Sequence, residues 1–312
     1  INLRKVTIFQ TESDIYKEER RPYYRSLRVA QLLTQVCKAK LRAVSFSPRV
    51  QDQFETKHLI KVTPPVSYQV FDLRKTKVAG DQLHELLANS RAKRVLLFLN
   101  RKSDKGALVC RTCKIRSYTN DPTSCPNCGS SDTKFELFNL QTLAKKLSLP
   151  PTSQVVCATQ QIFFEDSARF ELIVLLSADT YFLRPAFDSA EKTFQMITSL
   201  KKLLSPSGKL VVQTGFPDEN CIKDSLQGNY RHFYEEELKL RKETGYPPYT
   251  RLAKVTYAAP GDVPELSLGN TCQIFGPFTG SKFTYFIVRG KDLSPLSSLS
   301  RPWKLDIDPL SL

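Results

Sequence analysis

The chain has 312 residues, 41% hydrophobic and 25% charged, and its 46 Lys and Arg against 31 Asp and Glu give a formal charge of +15. That length allows two or three compact domains. Its longest purely apolar runs, Val95 to Leu99 and Leu172 to Leu176, are far too short to cross a bilayer, and no secretory leader opens the chain. It begins at Ile1, inside what reads as a strand, and so reads as a fragment.

The elements follow in chain order. A strand is predicted over 5–9, then a basic-aromatic stretch, a helix near 27–38 and a strand over 42–46. Another strand ends at Phe71-Asp72-Leu73. Short β-branched or Leu-rich runs at 94–99, 154–158, 171–177 and 209–214 read as strands buried on both faces. A helix is expected over 137–147, before Pro150-Pro151. Phe187, Ala190, Phe194, Ile197 and Leu200 recur at helical spacing, and Ser205-Pro206-Ser207-Gly208 reads as the stop. A charged helix over 230–242 ends at Gly245-Tyr246-Pro247-Pro248. The remainder alternates short strands with Pro/Gly turns. Alternating strands and helices imply a mostly parallel α/β sheet.

The positive charge is concentrated. Residues 1–62 hold 13 Lys and Arg against 6 Asp and Glu, and residues 99–117 hold 6 against 1. With an isoelectric point near 9.4, this favours a polyanionic partner, nucleic acid ahead of a merely basic surface.

Of eight cysteines, Cys37, Cys157, Cys221 and Cys272 stand alone and read as small core hydrophobes. The other four form Cys110-x2-Cys113 and Cys125-x2-Cys128, separated by eleven residues. Two such knuckles offer four thiolates that close tetrahedrally on one Zn²⁺. Pro126, Asn127 and Gly129 suit the tight turn this needs. A closed site has no open position for water, so it supports the fold rather than chemistry. Without a leader, zinc is a better reading than disulfides.

Around this ribbon the sequence resembles the PriA family of bacterial replication-restart helicases. Val95 to Arg101 followed by Leu108-Val109-Cys110 resembles the family's entry into its zinc insertion. The family has eight cysteines for two zinc ions; only the outer pairs match here, which implies one. Ala158-Thr159-Gln160-Gln161-Ile162, Ala178-Asp179, Ser189 to Gln195 and Val212-Gln213-Thr214 resemble further family segments in order. So do Tyr234 to Leu238, Arg241 to Ala253 and the ending Asp306-Ile307-Asp308-Pro309. The resemblance implies three parts: the C-terminal part of a first RecA-like lobe (1–62), a second RecA-like lobe (63–245) with a zinc-ribbon insertion (107–135), and a small α+β C-terminal domain (246–312). In the family that last domain contacts branched DNA and partner proteins.

Departures from the family concern ATP. Its acidic DEEH box falls on Gln10-Thr11-Glu12-Ser13, so the Mg²⁺-holding Asp is Gln10 and the water-activating Glu is Thr11. The arginine-finger segment is replaced around Lys201 and Lys202, whose ammonium groups offer charge without the guanidinium fork. The degenerate motifs make ATP and Mg²⁺ binding doubtful and imply that hydrolysis is lost. The resemblance further implies a cytoplasmic protein that binds single-stranded or forked DNA and meets primosome or single-strand-binding proteins, with no membrane role. Candidate DNA contacts are Tyr16, Lys17, Arg20, Arg21, Tyr23, Tyr24 and Arg25 in the basic-aromatic stretch. Arg101, Lys102, Arg111, Lys114 and Arg116 form a second set on and beside the ribbon. Two alternatives stay open: an active ATP-dependent 3′–5′ helicase with a P-loop lobe before Ile1, and an S-adenosylmethionine-dependent methyltransferase, suggested by residues 170–174 and 204–212 but lacking a GxGxG turn.

Overall fold

The structure is a computed structural model. It describes residues 3–18, 23–56, 59–60, 65–75, 80–100, 107–117, 123–136, 140, 145, 147, 153–164, 169–184, 186–259, 262–279 and 283–309. Two compact units emerge, one formed by 1–61 with 234–312 and the other by 62–233.

In the first unit, β1 (Lys5–Phe9), β2 (Lys40–Ser45) and β3 (Leu59–Ile60) form a parallel sheet in that order. Helix α1 (Ser26–Val36) joins β1 to β2 and α2 (Val50–Thr56) joins β2 to β3. Leu27, Ala30 and Thr34 recur at helical spacing on the buried face of α1.

The second unit is α/β and holds a five-stranded, wholly parallel sheet, which fits a RecA-like lobe. Its strands are β4 (Ser67–Asp72), β5 (Arg94–Phe98), β9 (Gln154–Ala158), β10 (Phe170–Leu175) and β11 (Leu204–Thr214), in the order β4-β11-β10-β5-β9. Between β5 and β9 in sequence lies a separate antiparallel sheet of β6 (Ala107–Cys110), β7 (Arg116–Ser117) and β8 (Thr133–Glu136), ordered β7-β6-β8. Three of the four runs read as doubly buried strands are so; the fourth, β9, ends the strand order and is exposed or half-buried along its length. Val95, Leu97, Leu172, Val174 and Val211 join one core with Leu83 and Leu87 of α3 (Asp81–Ala88). Leu96, Phe98, Ile173, Leu175 and Leu210, which alternate with them, are also fully buried. After the short α4 (Asp179–Phe182), α5 (Ser189–Lys202) packs against β11. Helix α6 (Asn220–Gln227) ends on left-handed Gly228, the conformation glycine adopts without steric penalty.

The boundary at 205–208 differs most from expectation, while other ends move by one or two residues, as in β2 and α1. Ser205 to Gly208 is a bulge inside β11 rather than a stop before it: Leu204 pairs with Phe170, and regular pairing resumes with Lys209 opposite Leu172. A Cβ on Gly208 would meet the Phe170 carbonyl and Leu204 Cδ2 at 2.9 Å each, so glycine permits the close approach of the two strands. Most of the helix expected over 137–147 falls outside the described residues, although Leu147 is buried in the core.

Helix α7 (Tyr230–Thr244) begins with Phe233 stacked on Phe194, ring centroids 4.5 Å apart. Its later turns hold a buried pair, Arg241 Nε donating to Glu237 Oε1 at 2.8 Å, while another guanidinium nitrogen donates to the Pro247 carbonyl. Gly245 at φ 68° reverses the chain, and the Tyr246 amide donates to the Arg241 carbonyl. The Arg241–Tyr246 turn thus has a structural job that explains its sequence. Beyond it, β12 (Arg251–Tyr257), β13 (Cys272–Thr279), β14 (Thr284–Gly290) and β15 (Trp303–Ile307) form an antiparallel sheet ordered β13-β14-β12-β15. One of its faces carries the core, with Ala253, Val255, Phe286 and Val288 at its centre. No helix among the described residues is long and apolar enough to cross a membrane.

Candidate metal centre and nucleic-acid interface

Cys110 closes β6, and Cys113 follows one tight turn later. The Cys113 amide points at Cys110 Sγ from 3.5 Å, and the Cys110 amide donates to the Ile115 carbonyl. The second knuckle repeats the design: the Gly129 amide donates to the Cys125 carbonyl and the Cys125 amide to Ser130. In both, the residue after the second cysteine is left-handed, Lys114 at φ 62° and Gly129 at φ 72°. Cys110 Sγ lies 3.6 Å from Cys128 Sγ, and Cys113 Sγ lies 3.6 Å from Cys125 Sγ. All four sulfurs fall within 4.8 Å of one another. Tetrahedral zinc with bonds of about 2.3 Å separates its sulfurs by about 3.8 Å, so the cluster could hold such an ion.

The electrostatics point the same way. Burial opposes ionisation of Cys110, but the amides of Cys113 and Thr112 and the thiols of Cys113 and Cys128 together outweigh it and bring the thiol down to about 6. Burial pushes Cys125 up to about 12, with Cys113 and Cys128 adding to the rise. Four thiolates so close together repel, and a divalent cation is what lets them ionise together.

The knuckles are fixed to the parallel sheet. A Cβ on Gly215, just past β11, would lie 2.5 Å from Ile115 Cδ1, so buried Ile115 of the first knuckle sits directly on the strand end. Asp179 braces the same place, accepting from Thr214 Oγ1 at 2.5 Å and from the Gly215 amide at 2.9 Å. Burial pushes its carboxyl up to about 6 despite these bonds. Sequence reasoning matched Asp179 and Thr214 to a family segment without giving them this role; the signal was a small residue beside a carboxylate at the carboxyl end of a parallel strand.

Residues Gln10 to Ser13, matched in sequence to the acidic box, follow β1. Gln10 is left-handed at φ 52°, and the Ser13 amide donates to its carbonyl. Thr11 is buried. Glu12, the box's remaining carboxylate, is buried too and accepts from Ser45 Oγ at the end of β2. Lys201, expected to offer charge at the finger position, is instead a helix cap: its ammonium donates to the carbonyls of Ser225 and Leu226 at 2.9 Å each, at the end of α6. Burial lowers it to about 8. Lys202 lies in the last turn of α5.

The candidate DNA contacts divide. Lys17 leaves the proposed surface, because its side chain is 1% exposed and its ammonium donates to Asp306 Oδ1 and the Ile307 carbonyl, each at 2.6 Å. Arg25 is also buried, with its guanidinium 3.9 Å from Asp52. Tyr16 donates its hydroxyl to the Phe9 carbonyl. Lys17 bridges to Arg25, and the Glu18 amide donates to the Tyr24 carbonyl. Arg20 and Arg21 lie outside the described residues. Tyr23 and exposed Tyr24 line a cleft of about 920 Å³ with Arg28, Gln31, Phe54 and Arg251. On the ribbon, Arg111 is 63% exposed and 3.7 Å from Asp132, and Lys114 is exposed. Arg116 lies in β7, while Arg101 and Lys102 lie outside the described residues.

Comparison with known proteins decides the ancestry. The chain is 25% identical to replication restart protein PriA of Bacillus subtilis, over 82% of its own length and 41% of that protein's. It is 22% identical to replication restart protein PriA of Thermotoga maritima, over 81% and 44%. The chain is a divergent relative of the PriA family. A shorter match, 36% identical over 89 residues, links it to replication restart protein PriA of Chlamydia muridarum, covering 28% of this chain and 12% of that one. No family model matches the chain. The chain spans about two fifths of the length of the first two relatives.

Proposed function

We propose that this chain is a replication-restart DNA-binding protein that has lost ATP hydrolysis and uses Cys110, Cys113, Cys125 and Cys128 to hold one structural zinc. Loss of hydrolysis rests on the acidic box. Gln10 brings a neutral amide where Mg²⁺ chemistry calls for an anionic oxygen. The carboxylate that remains, Glu12, is turned into the protein against Ser45. Lys201 adds to this reading, since it is occupied in capping α6 and leaves no charge for a transferring phosphoryl group. Zinc, when bound, closes the two knuckles into one rigid unit, and the seat of Ile115 on Gly215 carries that rigidity to the parallel sheet.

DNA is the partner favoured by the restart ancestry and the charge of +15. Exposed Arg111 and Lys114 present cations from the ribbon, and Tyr23, Tyr24 and Arg28 combine aromatic faces with a cation at the cleft. Aromatic rings stack on bases and cations neutralise phosphates, the two components of single-strand binding. The test is fluorescence anisotropy on single-stranded and forked oligonucleotides across a salt series, with zinc content measured on the same sample. One zinc per chain is expected. Replacing Arg111, Lys114 and Arg116 with Ala is expected to reduce the salt slope by about 2, at about 0.7 per phosphate contact on a single strand. A metal-free folded protein overturns the zinc assignment, and an unchanged slope removes the ribbon from the interface.

A further inference from the structure

The antiparallel sheet of β12 to β15 has two faces of opposite chemistry, and its core uses one of them. The register sorts the other. Thr256 pairs with both Tyr285 and Lys304, and Phe278 pairs with Tyr285, so these side chains share the outer face with Lys254. Toward one end this face is closed: Leu252 and Ile287 are buried, and Asp306 is taken up by Lys17. Toward the other end it is open and aromatic. Phe278 and Phe283 there are 42% and 48% exposed, and Phe275, which pairs with Ile287 on the edge strand, is 41% exposed. Phe278 and Tyr285 lie 5.5 Å apart between ring centroids.

Cations accompany the rings. Lys254 Nζ is 4.2 Å from the centre of the Tyr285 ring, and Lys304 Nζ is 5.4 Å from that of Phe283. Arg289 lies over both Tyr246 and Phe275, held there by bonds to Gln273 and the Thr244 carbonyl. The outer positions of these four strands carry a single carboxylate, Asp306, and Lys17 neutralises it. Isolated exposed phenylalanines need no explanation. A cluster aligned by strand register, with ammonium groups on its rings and no free anion among these positions, does.

We propose that this open end of the outer face is a stacking platform for single-stranded nucleic acid, with Phe278, Phe283 and Tyr285 receiving bases and Lys254 and Lys304 meeting the phosphates between them. Each base offers a π face to such rings whatever its sequence, and the lysines supply the positive track that a phosphate backbone follows. Charge complementarity selects this occupant. A neutral apolar protein surface gains nothing from two lysines over the rings, and a paired duplex hides the base faces that the rings need. The inference deepens the nucleic-acid reading above and moves it to residues outside the basic stretch and the ribbon.

The experiment uses the full 312-residue chain and a labelled oligothymidylate of about 16 nucleotides, the upper end of sites on comparable platforms. One variant combines Phe278→Leu, Phe283→Leu and Tyr285→Leu, which keeps apolar bulk and charge but removes the π faces. A second combines Lys254→Gln and Lys304→Gln. Unfolding midpoints check that each variant folds, and Phe283→Leu alone substitutes for the triple change should that variant not fold. The triple variant is expected to bind at least about tenfold more weakly with an unchanged salt slope. The lysine variant is expected to lower the slope by about 1.4. Replacing thymidine by 5-iodouridine is expected to give photo-crosslinks at Phe278, Phe283 or Tyr285. Oligonucleotide binding that survives the triple change within twofold, with crosslinks elsewhere, overturns the platform and leaves the broader nucleic-acid reading standing. No binding by the unaltered chain overturns both.

Discussion

Removing Asp306 should unfasten the N-terminal segment from the C-terminal sheet, at a cost that can be worked from the geometry. Lys17 and Asp306 are separated by 289 positions, yet the ammonium sits 2.6 Å from the carboxylate with 1% of its side chain exposed, against 25% for Asp306. In Asp306→Ala the ammonium stays buried with the Ile307 carbonyl as its partner. Breaking a buried pair from one side costs about 3–5 kcal/mol, and the partial exposure of Asp306 favours about 3. Lys17→Met should cost less, about 1–2 kcal/mol, because the orphaned carboxylate is within reach of water and the methionine keeps the packing. The double variant should recover much of the loss, so the two changes will not add. Urea unfolding of the whole chain gives the energies. Hydrogen exchange locates them, with protection expected to fall in residues 3–18 and 303–309 before the parallel sheet responds. An Asp306→Ala cost below about 0.5 kcal/mol, the range of ordinary surface changes, would refute the reasoning.

Three further outcomes follow from the ribbon and its seat. Asp179 is buried and raised from an ordinary 3.8 to about 6, so its folded form holds the proton more tightly than its unfolded form. Its contribution is therefore most favourable below about pH 4 and is lost as the pH rises through 6. Raising a carboxyl by one pH unit corresponds to about 1.4 kcal/mol, so the unaltered chain should lose about 3 kcal/mol relative to Asp179→Asn between about pH 4 and pH 7. Parallel stability curves for the two proteins would contradict this. The left-handed residues of the knuckles should respond in opposite directions. Lys114→Gly relieves a non-glycine at φ 62° and should stabilise by about 1 kcal/mol, whereas Gly129→Val, with open space around it but φ 72°, should destabilise by at least that much; thermal melts of the zinc-loaded protein decide. Gly215→Ala places a methyl 2.5 Å from Ile115 Cδ1 and should cost about 1–3 kcal/mol as an overpacked contact. Ile115→Ala in the same chain should restore most of that loss, and a simple sum of the two costs would argue against the seat.

What the sequence made legible was local. The runs at 5–9 and 154–158 have the observed strand bounds, because β-branched residues between turn signals leave little freedom. The paired cysteines announced their cluster through spacing alone. Misreadings came where a distant partner outweighed a local signal. Ser205 to Gly208 has the composition of a helix stop, but pairing of Leu204 with Phe170 holds it in the strand. Lys17 lies in a basic-aromatic stretch and reads as a phosphate contact, and nothing nearby in sequence reveals Asp306. Lys201 reads as a weakened finger, while its carbonyl partners lie 24 and 25 residues further on. The outer-face aromatics were invisible for a related reason: alternation marks two faces of a strand, but only register shows which rings from different strands meet.

The most direct test of the central claim measures phosphate release from ATP and Mg²⁺ in the presence of single-stranded DNA, on the longest natural form of the protein, in a sample already shown to bind that DNA. If hydrolysis is lost as proposed, release is no faster than in a DNA-free control, because Gln10 would not hold the metal, Thr11 would not activate water and Lys201 is committed to α6. DNA-stimulated, Mg²⁺-dependent release that persists at constant specific activity through purification would contradict it.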